Sequence, residues 1–155
     1  MIRAADLNDI PAMVELGRRM HDESPRFRGL AYSAKKVREL CKNLITLEGG
    51  FAWVGVREGK VVAAMIGACG EHWMSTDKVA SELALFVDRD ARGAALAARL
   101  VTAFVSWAEI EGAKSISAGA STGIETERTA QFYERFGFSR SNSIGLERAV
   151  VCATR

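Results

Sequence analysis

One stretch restricts the fold of this chain more than any other: Val87-Asp88-Arg89-Asp90-Ala91-Arg92-Gly93-Ala94-Ala95-Leu96-Ala97-Ala98-Arg99-Leu100. Leu83 to Val87 reads as an apolar strand. It runs into a short charged turn, and a helix then opens almost entirely on Gly and Ala. A helix N-terminus carries unpaired main-chain N–H groups and the positive end of the peptide dipole, which together can hold a diphosphate. Small side chains at Gly93, Ala94, Ala95 and Ala97 let an anion reach those groups, with Arg92 at the rim to add a full charge. The other reading of Gly93 to Ala98 is a helix that simply packs closely on a sheet.

Around this stretch, strands and helices alternate. Ile2 to Ala4 is a short strand. Asn8 or Asp9 can cap a helix with Pro11 in its first turn, where a missing N–H is harmless. Ile10, Met13, Val14, Gly17 and Met20 then share a face. His21 to Tyr32, with charge, Pro25 and Gly29, reads as a loop. Ser33 caps a second helix, with Val37, Leu40, Cys41, Leu44 and Leu47 at helical spacing and Gly49-Gly50 at its end. Phe51 to Arg57 and Lys60 to Cys69 are apolar runs joined by Glu58-Gly59, a hairpin signal. A polar loop, Glu71 to Asp77, leads to the strand Val79 to Val87. The helix after Gly93 places Leu96, Leu100, Ala103, Phe104, Trp107 and Ile110 inward and stops at Gly112. Ser115 to Ala120 is a strand, about Glu127 to Phe136 a helix, and Phe138 onward with Ile144 to Cys152 a closing hairpin. The predicted order is βααβββαβαββ, a mixed α/β (α+β) sheet covered on both faces. Repeated crossovers, not hairpins, build a doubly wound nucleotide-binding sheet, so the Glu58-Gly59 turn and the closing strands argue against one.

The 155 residues suit one domain spanning 1–155, and 48% hydrophobic with 26% charged residues is a globular composition. A net charge of +2 without a dense Lys/Arg run is no nucleic-acid footprint. Cys41, Cys69 and Cys152 lie far apart without metal-ligand spacing, so they read as reduced and structural, and no metal is expected. The N-terminus lacks an apolar signal core and no segment approaches a membrane span. A cytoplasmic protein without membrane or nucleic-acid partners is the expectation.

Two segments resemble one family. Val87-Asp88 followed by Arg92 to Ala97 is similar to the acyl-CoA signature of the GCN5-related N-acetyltransferases (GNAT), Arg/Gln-x-x-Gly-x-Gly/Ala, with Ala95 where a Gly is usual. Thr129-Ala130-Gln131-Phe132-Tyr133-Glu134-Arg135-Phe136-Gly137-Phe138 resembles the later helix motif ending in Phe-Tyr-x-x-x-Gly-Phe, with Thr126 where many members have Asn. Their order, their spacing and the element order fit as well.

The resemblance implies a GNAT-like fold and an acyl-CoA-dependent N-acetyltransferase that moves acetyl from acetyl-CoA to a primary amine of a small molecule or protein. It implies that the pre-cradle strand splays from its neighbour, freeing main-chain groups around Leu85, Phe86 and Val87 for the pantetheine arm. Arg92, Gly93, Ala94, Ala95, Leu96 and Ala97 then take the diphosphate, with Thr126 and Thr129 beside the coenzyme. Tyr133 becomes the candidate general acid for the departing thiolate; its other reading is a core tyrosine. Glu82 is the candidate base. Counting back from Val87, the usual Glu position falls on Ser81, so Glu82 points to the opposite face unless a bulge restores it. A salt-bridged or solvent-facing Glu82 is the alternative, with Glu71 and His72 as fallback bases and Trp73 and Met74 as possible acceptor-pocket walls. In this family the loop holding His21-Asp22-Glu23 and Arg26 to Arg28 helps wall the acceptor site. A non-catalytic acyl-CoA-binding regulatory module is the second function class. The apolar strand Ala149-Val150-Val151 can support a homodimer by edge pairing.

Overall fold

The computed structural model describes residues 1–141 and Gly145. Its elements are β1 (Ile2–Ala4), α1 (Ile10–Glu23), α2 (Ala34–Thr46), β2 (Gly50–Arg57), β3 (Lys60–Glu71), β4 (Lys78–Val87), α3 (Ala94–Ile110), β5 (Ser115–Ser117) and α4 (Thr126–Glu134). This is the expected order as far as α4; most of the expected closing hairpin, and the proposed dimer edge at Ala149 to Val151, lie outside the described residues. The strands form one sheet in chain order, antiparallel except for the β4–β5 pair, which is parallel.

Local chemistry explains the boundaries. Asp6, rather than Asn8 or Asp9, caps the turn into α1: its carboxylate accepts from Asn8 N while the Asp9 carboxylate accepts from Asp6 N. Asp9 is thereby half of a capping box, and its remaining capacity goes to the Arg3 guanidinium in two hydrogen bonds of 2.6 and 2.8 Å. Ser33 caps α2, as expected. Glu58 and Gly59 both adopt positive φ, +50° and +75°, the pairing a two-residue hairpin turn with the right twist requires.

Two apolar layers flank the sheet. Ile10, Met13, Val14, Cys41 and Leu44 of α1 and α2 pack against Ala52 and Val54. On the other face Leu96, Leu100, Val101, Phe104 and Ala108 of α3, with Tyr133 of α4, pack on Phe51, Ala63 and Met65. Three expectations change. α1 runs on through Glu23, so His21-Asp22-Glu23 is helical rather than loop. Ile110, the last residue of α3, is exposed, and Leu47 is exposed beyond the end of α2. β5 stops at Ser117 instead of Ala120, and that early end opens the site.

Candidate active site

β4 and β5 pair at Val79–Ser115, Ala80–Ile116 and Ser81–Ser117, and there the pairing ends. From Glu82 to Val87, β4 has no partner on that edge among the described residues, while the segment after β5 turns away through Gly119 to Ile124 into α4. A strand edge without a ladder presents unpaired N–H and C=O groups. The wedge between β4 and the β5–α4 segment is a cavity of about 470 Å³. Leu85, Phe86, Val87, Arg92, Gly93, Ala97 and Thr129, all expected at the site, lie on its wall, as do Glu82 and Tyr133. Ala95, Leu96 and Thr126 do not; Leu96 is buried in the α3 core, so only its main chain can serve a ligand.

The facing of Glu82 turns on one residue. β3 and β4 pair as Met65–Leu85 and Ile66–Ala84, then Gly67–Glu82, so Leu83 is an extra residue, a bulge. Without it Glu82 would share the α1/α2 face with Ala84 and Phe86. With it Glu82 joins Leu85 and Val87 on the α3/α4 face, beside Tyr133. Opposite the bulge a side chain is excluded: a Cβ on Gly67 would stand 2.6 Å from Phe104 Cε2 and 2.9 Å from Ser81 O.

At the apex of the wedge Gly119 N donates to Glu82 Oε2 at 3.1 Å, and Tyr133 lines the same cavity. Burial pushes the Glu82 carboxyl above its ordinary range, partly offset by Gly119 N and the neighbouring Tyr133 hydroxyl. Tyr133 is 6% exposed. Burial, then the neighbouring Glu82 carboxylate, push its phenol well above the usual value. The salt-bridged and solvent-facing readings of Glu82 therefore give way to a carboxyl facing a phenol inside a cavity.

At the wide end of the wedge, α3 begins after Gly93, which has open space around it and supplies no side-chain cap. Gly93 and Ala97 border the cavity, and the first N–H groups of a helix lack intrahelical partners, which suits the diphosphate of a coenzyme thioester. Arg92 lies over the Phe86 ring, 5.7 Å from its centroid, and its Nε donates to Val87 O at 3.2 Å. Its other end pairs with Glu23 at the C-terminus of α1. The preceding turn is tied to the same helix by Arg19 and Asp88.

The segment expected to wall the acceptor site roofs the wedge, but sequence reasoning missed the contacts that anchor it. Ser24, 0% exposed, donates from Oγ to Thr122 O at 2.5 Å and accepts from Phe27 N at 3.1 Å. Arg26 reaches Ser121 O at 3.1 Å, and Met20 and Phe27 line the cavity. Small polar residues in a loop give no signal of a partner 98 residues away. The fallback bases go elsewhere: Glu71 pairs with Lys78 at the opposite end of β4, and neither it nor His72 lines the cavity. Trp73, 84% exposed, and Met74 project at that far end and are not on the wall of this cavity.

Residues 17–138 match the acetyltransferase (GNAT) family, and the chain belongs to that family. No curated protein sequence matches it. Among solved structures, a transcriptional regulator from Bacillus halodurans superposes with a TM-score of 0.75 at 18% identity, over 97% of this chain and 99% of that one. An aminoglycoside 6'-N-acetyltransferase from Acinetobacter haemolyticus gives 0.73 at 12% identity over 97% and 99%. A predicted acetyltransferase from Clostridium acetobutylicum, solved with acetyl-CoA, gives 0.71 at 17% identity over 95% of each chain. At such identities the likeness is one of fold.

Proposed function

We propose that the protein transfers an acetyl group from acetyl-CoA directly to a primary amine bound in the same complex. The observation that carries this reading is the conjunction at the wedge: an unpaired β4 edge, an open helix N-terminus at its mouth, and a carboxyl–phenol pair at its apex. The coenzyme would supply the acetyl group as a thioester. Leu85, Phe86 and Val87 would hold its arm through their main chain, and the N–H groups of Arg92 to Ala97 its diphosphate. Thr129 borders the same space.

Each chemical need has a group of matching kind. An alkylamine of ordinary pKa near 10.4 is cationic at neutral pH, and only its neutral form attacks. Glu82, with a raised pKa, is suited to accept a proton from nitrogen within the cavity. A main-chain N–H of the free β4 edge near Phe86 or Val87 would stabilise the oxyanion. Tyr133 would protonate the departing sulfur.

The test is turnover with acetyl-CoA against spermidine, kanamycin, free amino acids and peptide N-termini, reading released thiol. Amine-dependent thiol release is the expected result. Saturable acetyl-CoA binding with no turnover on any of these amines would replace this reading with an acyl-CoA-binding regulatory module.

A further inference from the structure

Beside Glu82 the cavity wall turns apolar. Leu83, the extra residue of the β4 bulge, lines the cavity and is 48% exposed, an uncovered leucine next to the proposed base. Met20 of α1 and Phe27 of the segment after it line the same cavity. Bare apolar surface inside a cleft is stabilised when a ligand covers it. In the reading above, the main chain of Leu85 to Val87 and the start of α3 serve the coenzyme, which leaves the α1 side for the amine.

The charges around that space are already engaged. Among the described residues, the carboxyls on the cavity wall are Glu82 and Glu125, against the guanidiniums of Arg92, Arg128 and Arg135. Glu125 is taken by Arg128 at 3.0 Å. The acids at the end of α1 are committed as well: Asp22 pairs with Arg18 at 2.9 Å, and Glu23 with Arg92. Once Glu82 serves the reacting nitrogen, a second ammonium on the same substrate meets no uncommitted carboxylate on the described wall and an excess of positive charge. Giving up hydration there costs a cation far more than it costs a methyl group.

Resting on the acetyl-transfer reading above, we propose that the acceptor is an amine with a single positive charge and an apolar body, whose hydrocarbon covers Leu83, Met20 and Phe27, and that Leu83 sets this preference. One inserted residue then has two effects: it turns Glu82 to the α3/α4 face, and it lays a leucine beside the carbon chain that leaves the reacting nitrogen. The reaction balances as before. The nitrogen–carbon bond forms as the carbon–sulfur bond breaks, and nitrogen loses one proton while sulfur gains one. Polyamines and aminoglycosides, with several ammonium groups, are the class that this wall disfavours.

The test is a matched pair, hexylamine and 1,5-diaminopentane, which differ at the far end by a methyl against an ammonium. With acetyl-CoA, released thiol should give hexylamine a kcat/KM at least about tenfold higher. Leu83→Asp should raise KM for hexylamine about tenfold and lower it for the diamine, so that the preference narrows or reverses. Leu83→Ala removes apolar surface without adding charge. It should raise KM for hexylamine alone by about three- to tenfold with kcat little changed, and it decides the matter if the aspartate variant does not fold. Equal use of the two amines by the parent, or preference for the diamine, overturns the proposal and leaves acetyl transfer standing. An unchanged hexylamine KM in Leu83→Ala overturns it as well, by removing Leu83 as the determinant. If neither amine nor any of the earlier panel releases thiol, the transfer reading itself fails and this proposal falls with it.

Discussion

Tyr133 and Phe138 meet edge to face with ring centroids 5.4 Å apart, and Phe132 flanks the same ring at 5.5 Å. A phenylalanine at 133 therefore keeps the packing and removes one oxygen. Tyr133→Phe is expected to lower kcat by about 10²-fold and leave acetyl-CoA affinity within about twofold by calorimetry; an unchanged kcat removes the phenol from the chemistry. Asp9 makes a second prediction, on stability. It is buried, accepts from Arg3 and Asp6, and its carboxyl is held below the usual range, first by the Arg3 hydrogen bonds. A folded-state pKa below the unfolded one stabilises at higher pH: the unfolded chain takes up a proton first as pH falls. The contribution of Asp9 is complete above the unfolded carboxylate value, near 3.9, and is lost as pH drops from there through the lower folded value. Asp9→Asn should thus cost about 1–3 kcal/mol at pH 7 in urea melts. The difference should shrink as pH falls below the unfolded carboxylate value.

At the scale of elements, the β4 bulge decides whether there is an active site. Deleting Leu83 removes the extra residue and turns Glu82 to the α1/α2 face, away from Tyr133. The expected result is a folded protein by circular dichroism whose turnover drops to that of Glu82→Gln. Turnover close to that of the parent would show that the facing of Glu82 does not matter. Strong periodicity made most elements legible: the Glu58-Gly59 hairpin, the Ser33 cap and the apolar stripe of α3 followed from residue spacing. The wall residues around Gly93 and Tyr133 followed from motif resemblance. The bulge did not follow, because Ser81-Glu82-Leu83 carries no Gly or Pro to mark it; the signal sits on the opposite strand, at Gly67, where a Cβ has no room. The early end of β5 was equally hidden, since Ser115 to Ala120 has strand-like alternation throughout while pairing reaches only Ser117.

Over the whole molecule, the wedge is where the two helical layers meet. α3 and α4 supply the open helix end and the phenol from one side of the sheet. From the other side α1 ends in three consecutive attachments: Glu23 to Arg92, Ser24 to Thr122 and Arg26 to Ser121. Residues 23–26 thereby bridge the β4–α3 turn and the β5–α4 loop, the two walls that the splay separates. None of these partners is close in sequence, so charge and polarity along the chain gave no hint of them. Ser24 is the buried member, and its Oγ is both donor and acceptor. Ser24→Ala leaves Thr122 O and Phe27 N without that partner, at a cost of about 1–3 kcal/mol, which should show as a melting temperature lower by several degrees. Arg92 is exposed and shares its charge with Glu23, so Arg92→Glu tests binding more than stability. It places two carboxylates together at the cradle mouth and adds an anion where a diphosphate is proposed to sit. Acetyl-CoA affinity should fall more than tenfold, which is more than ~1.4 kcal/mol, while the melting temperature drops less than for Ser24→Ala, because exposed ion pairs contribute little to folding. Unchanged calorimetric affinity would move the coenzyme away from the start of α3.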